Sequence, residues 1–312
     1  MTYRHTPVLL KEVIEQLRPQ SGQIYIDCTL GGAGYTLALA KQVGTTGRII
    51  SIDLDQQALD HAESLIKERG LGNITLVHDN FANLEQITQA QKITAVNGIV
   101  LDLGLSSAQL DDPQRGFSFQ TNGPLDMAFG PSLIKTSDLI NKAKASELQE
   151  IIKNYGEERY AKAITAKIIE ARRIQPLTTT EQLVDIIAVA VPAVYRHNKK
   201  IHFATRTFQA FRIATNQELD NLKQVLPMAI KLLSTGGRLA VVSFHSLEDR
   251  IVKQYFKQEA KDCLCPPSAP TCRCGHQAQI KIINKKIITA SEQEIKNNVR
   301  ARSAKLRVIE KL

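Results

Sequence analysis

The chain has 312 residues, 43% of them apolar, with 40 Lys and Arg against 31 Asp and Glu, a formal net charge of +9. This is room for one large or two modest globular domains, and no run approaches the roughly 20 apolar residues of a membrane span. The opening MTYRHTPVLLKEVIEQLRP has no signal-peptide architecture, so the expectation is a cytoplasmic protein without membrane attachment, whose positive excess favours a polyanionic partner.

Residues 8–18 read as a short helix. Ile24–Ile26 reads as a first strand, with Thr36–Gln42 in the helix that follows. Arg48–Ile52 is a second strand. Gln56–Arg69 is an amphipathic helix stopped by Gly70 and Gly72. Ile74–His78 and Ala95–Leu101 are strands three and four. Short apolar strands alternating with helices predict a parallel sheet covered on both faces. The alternation then breaks, and helical patterns follow at Ser137–Ala143, Glu147–Tyr155, Glu158–Arg173 and Glu181–Ala190. The α/β pattern resumes with a helix at Gln217–Leu233 and a fifth strand at Arg238–Ser243. A helix at Leu247–Lys261 precedes two late strand candidates, Ile280–Ile288 and Lys305–Ile309, which pair as a hairpin. The division this predicts is an α/β domain of residues 1–111 and 217–312 and an inserted all-helical domain of residues 112–216.

Ligands of open α/β sheets bind beyond the carboxyl ends of the strands, so the residues there carry the chemistry. The stretch IYIDCTLGGAGYTLALAKQVGTTGRIISIDLD reads as strand, glycine loop, helix and strand, with an acid closing each strand. Asp53 falls 19 residues after Gly34, near the roughly 20-residue spacing at which an acid reaches a ribose hydroxyl. Taken alone, Asp53 also reads as an N-cap for the helix starting at Gln56. The loop lacks the G-x-G-x-x-G dinucleotide fingerprint, and Asp27 stands just before it. That carboxylate disfavours a pyrophosphate and suits a cationic cofactor, so S-adenosylmethionine fits better than NAD. After strand three, Phe81 is placed to stack on an adenine. After strand four, the loop Asp102–Ser107, with Ser106 and Ser107, is placed between cofactor and substrate.

Five cysteines are present. Cys28 reads as a packed small residue. Cys263, Cys265, Cys272 and Cys274 cluster in a Pro-rich loop, which in a cytosolic chain suggests metal more than disulfide. Yet C-x-C is not the usual C-x2-4-C zinc spacing. A bound zinc and a free thiol cluster both stay open, and no metal ligand is assigned.

From end to end the chain resembles a known family. HTPVLLKEV at 5–13, DLGLSSAQLDDPQRGFSF at 102–119, GPLDM at 123–127 and YGEERYAKAI at 155–164 carry the resemblance. So do ATRTFQAFRIATNQEL at 204–219, SFHSLEDRIVK at 243–253 and RARSAKL at 300–306. They are similar to the bacterial ribosomal RNA small-subunit methyltransferase H family. The resemblance implies a class-I S-adenosylmethionine-dependent methyltransferase sheet of the Rossmann-like kind, with the helical insertion as a substrate-recognition domain. The implied reaction is N4-methylation of cytosine 1402 in the 16S rRNA of the small ribosomal subunit. Carried over by motif, the cofactor contacts fall on Ala33, Gly34, Tyr35, Asp53, Phe81, Asp102 and Gln109. The family more commonly has Gly at position 33 and His at position 35. Ala33 therefore adds a methyl where the backbone nears the ligand, and Tyr35 a longer polar tip.

Methyl transfer from a sulfonium needs an aligned acceptor nitrogen and an oxygen or nitrogen that takes up its proton. Asp102 and His245, after strands four and five, are the catalytic candidates; the other reading of His245 is a structural hydrogen bond. Phe117 and Phe119 are candidates for a pocket around an unstacked base, or for packing. The basic segment Tyr195–His202, Arg206, Arg212 and the tail from His276, which has nine Lys/Arg against three Glu, are candidates for phosphate contact. The protein is expected to act as a monomer or a homodimer. A DNA amino-methyltransferase would carry [DNS]-P-P-[YF] where this chain has Asp102-Leu103-Gly104-Leu105. A non-catalytic RNA-binding module would not need the cofactor residues.

Overall fold

The computed structural model describes residues 7–130, 134–197, 201–266, 268–269 and 271–312. Its sheet has seven strands: β1 (Ile24–Asp27), β2 (Arg48–Asp53), β3 (Ile74–His78), β4 (Val96–Asp102), β5 (Leu233–Ser243), β6 (Ile280–Ile282) and β7 (Lys305–Lys311). The order is β3-β2-β1-β4-β5-β7-β6. Strands β1 to β5 pair in parallel, with Tyr25 opposite both Ile49 and Gly98, and Val100 opposite Ala240. Strand β7 is antiparallel to β5 and to β6. The α/β class expected from the alternating pattern is therefore the one found. The late pair β6–β7 also forms, but as strands separated by a helix and a 3-10 turn rather than as a tight hairpin.

Side-chain alternation along the central strands builds two apolar layers. Ile26, Ile50, Ile52, Ile99, Leu101, Leu239 and Val241 pack on one face, with Leu84 and Ile87, Leu222 to Ile230, and Val252 and Phe256. Their neighbours Tyr25, Ile49, Val100, Ala240 and Val242 point the other way, against Val13, Leu17, Leu39 and Val43. Continuous apolar runs such as Ile99-Val100-Leu101 are what burial on both faces requires.

Contacts along the chain divide it into two compact units, Met1–Gly104 with Leu219–Leu312, and Leu105–Glu218. The second unit is helical, with Thr136–Lys142, Ala145–Gly156, Ala161–Ile174, Thr180–Ala190 and Thr205–Asn216 as its main helices. Its core gathers Leu148, Ile152, Ile164, Ile168, Leu183, Ile187, Phe208 and Phe211. No helix among the described residues is long and apolar enough to cross a membrane.

The β1–β4 contact is tight at Gly98. A β-carbon there would overlap the ring of Tyr25, which is buried and held by Gln23 Oε1 at 3.0 Å. Gly98→Ala is expected to destabilise the sheet by about 1–3 kcal/mol through overpacking. The midpoint of urea unfolding measures this, and an unchanged midpoint would show that Tyr25 relaxes without cost.

Candidate active site

The strand order reverses between β1 and β4, and the carboxyl ends of β1, β2 and β4 close on Asp27, Asp53 and Asp102. An open α/β sheet binds its ligand at such a reversal. Asp27 is fully buried. Its Oδ2 accepts from Thr36 Oγ1 at 2.7 Å and its Oδ1 from Thr29 N at 3.2 Å. Thr36 also shares a hydrogen bond with Ser51 of β2 at 2.7 Å, and Thr29 Oγ1 accepts from Asp102 N at 2.7 Å. Three small hydroxyl residues thus lock the ends of β1, β2 and β4 to the following helix. Sequence reading passed over all three, because Thr and Ser occur everywhere and only the register reveals their convergence.

Asp53 Oδ2 accepts from Gly31 N at 2.8 Å and Oδ1 from Asp55 N at 2.9 Å. These bonds fix the carboxylate and leave each oxygen a second lone pair for a ribose hydroxyl. The cap of the helix Gln56–Glu68 is Asp55, whose side chain accepts from Gln57 N, so Asp53 is not spent on capping. After β3, Asp79 Oδ1 accepts from Asn80 N and Asn83 Nδ2. This shapes the 3-10 turn Phe81–Asn83 that carries the half-buried Phe81.

The loop Leu30–Gly34 turns through left-handed backbone at Gly31 and at Ala33, where φ is 62°. A glycine takes that conformation without strain, which is the physical reason for glycine at position 33. The Ala33 methyl is directed away from solvent, into a cluster with Leu30, Leu59 and Ala62. Tyr35 is likewise buried, and its hydroxyl donates to the carbonyl of Val8, which docks the ring on the N-terminal segment. Gly34 is sterically required, since a β-carbon would overlap Pro7. The helix Gly34–Val43 has no side-chain cap at Ala33; its Thr36 amide bonds to Asp27, and the amides before it, at Gly34 and Tyr35, suit an anion such as a carboxylate.

The acids are poised for a cation. Burial pushes the Asp27 carboxyl up to about 7, against the opposing pull of its Thr36 and Thr29 hydrogen bonds, with the Asp53 charge adding to the rise. Burial likewise raises Asp53 to about 6. Asp102 is raised well above the usual carboxylate range by burial, with the charges of Asp27 and Glu248 adding to it. Its Oδ1 is buried without a hydrogen-bond partner among the described residues.

His245 is the N-cap of the helix Ser246–Glu259. Its Nδ1 accepts from Glu248 N at 3.4 Å, and Glu248 Oε2 accepts in turn from the amides of Phe244 and His245. Its Nε2 lies 3.2 Å from Glu248 Oε1, close enough for charge attraction but outside hydrogen-bond geometry. The cap is the structural hydrogen bond that sequence reading weighed beside a catalytic role for His245.

The remaining candidates lie in the helical unit, apart from those of the tail. Ser106 caps the helix Ser107–Asp111, accepting from Gln109 N at 3.2 Å, while Gln109 Oε1 accepts from Ser106 N at 2.9 Å. Arg212 makes a two-pronged ion pair with Glu218 at 2.8 and 2.9 Å. A phosphate would have to compete with that pair. Arg206 donates to the Glu157 carbonyl at 2.9 Å at the surface. Phe117 is buried against Phe129, with ring centroids 5.5 Å apart, so it packs. Phe119 stacks on His202 at 4.6 Å. Lys199 and Lys200 lie outside the described residues. In the tail, Arg307 and Lys305 both face Asp249, at 2.8 and 3.5 Å.

The model described as the MraW methylase family matches residues 2–312. The chain belongs to the MraW methylase family. Its curated relatives include a Heliobacterium modesticaldum protein named Ribosomal RNA small subunit methyltransferase H, 46% identical over 314 residues and covering all of both chains. A Dehalococcoides mccartyi protein of the same name is 48% identical over 311 residues, 99% of this chain and 87% of the relative. Among solved structures, a putative rRNA methylase from Clostridium thermocellum aligns over 99% of this chain and 100% of its own, at 14% identity and a TM-score of 0.48. As an MraW methylase the chain is an S-adenosylmethionine-dependent enzyme with a class-I methyltransferase fold.

The residues present fit that cofactor. The Gly34 and Tyr35 amides suit its carboxylate, Asp53 its ribose, and Phe81 its adenine. The acid-rich ends of β1 and β4 suit its ammonium and sulfonium. A bound cation opposes both causes of the raised carboxyls, so binding should expel protons. In the free protein these raised groups lend stability below the ordinary carboxylate range and lose it as pH rises through about 6 and 7. Binding runs the other way: the dissociation constant of S-adenosylmethionine should rise roughly tenfold per unit as pH falls below about 7, and more steeply below about 6. Calorimetry in buffers of different ionisation enthalpy checks the proton release, and pH-independent affinity would refute it. For His245, the cap reading sets His245→Asn apart from His245→Ala. The first should keep stability and methylation, whereas the second should cost about 1 kcal/mol in a thermal melt. A large loss of single-turnover rate in His245→Asn would return the ring to the chemistry.

Proposed function

We propose that this enzyme methylates N4 of cytosine 1402 in the 16S rRNA of the small ribosomal subunit. The family's full-length relatives are named for small-subunit rRNA, and the resemblance of the chain's motifs points to the cytosine amino group. The observation in the structure that supports the reading is the unpartnered, buried Oδ1 of Asp102 at the end of β4.

When bound, the cofactor supplies an electrophilic methyl group on a positive sulfur. The lone pair of a cytosine amino nitrogen is delocalised into the ring, and a hydrogen bond from that amino group to Asp102 Oδ1 holds it in line and localises the pair. The new nitrogen–carbon bond leaves an excess proton on nitrogen, and Asp102 takes it up. Burial and the charges of Asp27 and Glu248 hold a proton on Asp102 in the free protein; a bound cation opposes them, so that the carboxyl is ionised and able to accept the proton from nitrogen. Among the described residues Arg206 and the surface lysines of the tail remain for RNA phosphates, whereas Arg212, Lys305 and Arg307 are engaged with acids. In this reading Leu105–Glu218 serves substrate recognition.

Purified small subunits from cells lacking the modification, incubated with methyl-labelled cofactor, test the proposal. Label should appear on N4 of cytosine 1402, and label on another nucleotide or on a ring carbon overturns it. Asp102→Asn should lower the single-turnover rate by about 10²–10⁴ while changing cofactor affinity far less. An equal loss in both would make Asp102 a cofactor ligand only.

A further inference from the structure

The four cysteines that the methyl-transfer site does not use converge in space. In the loop between the helix Ser246–Glu259 and β6, Cys263 Sγ lies 3.4 Å from Cys272 Sγ and 3.7 Å from Cys274 Sγ, and Cys272 Sγ lies 3.7 Å from Cys274 Sγ. With Cys265, all four sulfurs fall within 4.8 Å of one another. Four thiolates around zinc at about 2.3 Å form a tetrahedron whose edges are about 3.8 Å. The observed separations approach that edge length. They lie well beyond the roughly 2.05 Å of a disulfide. Cys263 has two partners at nearly equal distance, so no single pairing is singled out as two disulfides would require.

The loop gives a second, independent sign. Leu264 N donates to Cys274 Sγ at 3.3 Å, Cys265 N to Cys263 Sγ at 3.4 Å and Arg273 N to Cys265 Sγ at 3.3 Å. Amide donors directed at sulfur favour thiolate over thiol. Between Lys261 and Gln279 the described residues form no helix or strand and contribute nothing to an apolar core. Ordering such a segment costs roughly 1–2 kcal/mol per residue, and no burial offsets that. A shared metal would, because binding free energy at a structural site is folding free energy.

We propose that Cys263, Cys265, Cys272 and Cys274 bind one zinc ion in a closed tetrathiolate site. Four protein ligands leave no position for water or substrate, so the site is structural. Its place in the fold agrees. Strand β6 runs parallel to β5, so the loop entering it at Ile280 reaches the sheet at the edge opposite to Asp27, Asp53 and Asp102. Gln279 N bonds to Glu259 O at 2.9 Å, closing the loop at its base, and the ion would close it at its tip. All-sulfur tetrahedra also accept iron, which the test separates.

The full-length protein, purified without a metal-binding tag and under reducing conditions, is incubated with zinc and freed of excess. Elemental analysis should find about one zinc per chain. Cobalt(II) replacement should give the visible bands of tetrahedral thiolate coordination. Cys272→Ser should lose most of the zinc while binding S-adenosylmethionine with unchanged affinity, which shows that the variant is folded and that the site lies apart from the cofactor. Protein that stays metal-free with four titratable surface thiols overturns the proposal. So does retained zinc in both Cys272→Ser and Cys274→Ser, and iron found in place of zinc overturns the choice of metal.

Discussion

The structure depends on placing three carboxyl groups at the point where the sheet changes direction. Asp27, Asp53 and Asp102 close β1, β2 and β4, and burial makes each costly to ionise. Backbone amides and the hydroxyls of Thr29, Thr36 and Ser51 offset part of that cost and in doing so fix the loop geometry. What hydrogen bonds leave uncompensated is negative field, which suits a cationic ligand. In the proposed reading, affinity for a sulfonium cofactor and the rigidity of the strand ends would have one origin.

Much of this was legible in the sequence. The strands β1 to β5 and the helices between them follow from apolar runs, alternation and glycine stops, since a doubly covered parallel sheet leaves few other patterns. The acids at strand ends were also legible, because chain order places them on one edge. Capping geometry was less so. Whether Asp53 or Asp55 caps the helix at Gln56 is set by backbone angles at Asp55, and both acids satisfy the same sequence rule. The ends of side chains were least legible. Nothing local to Ala33 or Tyr35 reveals that the methyl packs on Leu59 or that the hydroxyl finds Val8.

The helical unit shows the same limit in a different form. Thr205–Asn216 buries Thr207, Phe208, Ala210, Phe211, Ile213 and Thr215 and sits at the centre of its unit's packing. From the sequence, its Arg206 and Arg212 read as candidates for phosphate contact. Yet the charge of Arg212 is held by Glu218. Net charge identifies the class of partner but not which cations are free to meet it.

The sheet is assembled from segments far apart in the chain, and that sets the order in which a nascent protein can fold. Strand β4 ends at Asp102, while its partner β5 ends at Ser243. At roughly 5–20 residues per second, synthesis of the intervening chain takes on the order of ten seconds. During that time the apolar stretch Ile99-Val100-Leu101, buried in the finished sheet, lies on an unpaired edge able to pair with other chains. Leu105–Glu218 emerges in the interval and has its own apolar core. The helical unit can therefore fold on the ribosome before the catalytic sheet is complete, and the exposed β4 edge is the stage at which the nascent chain most needs protection from aggregation.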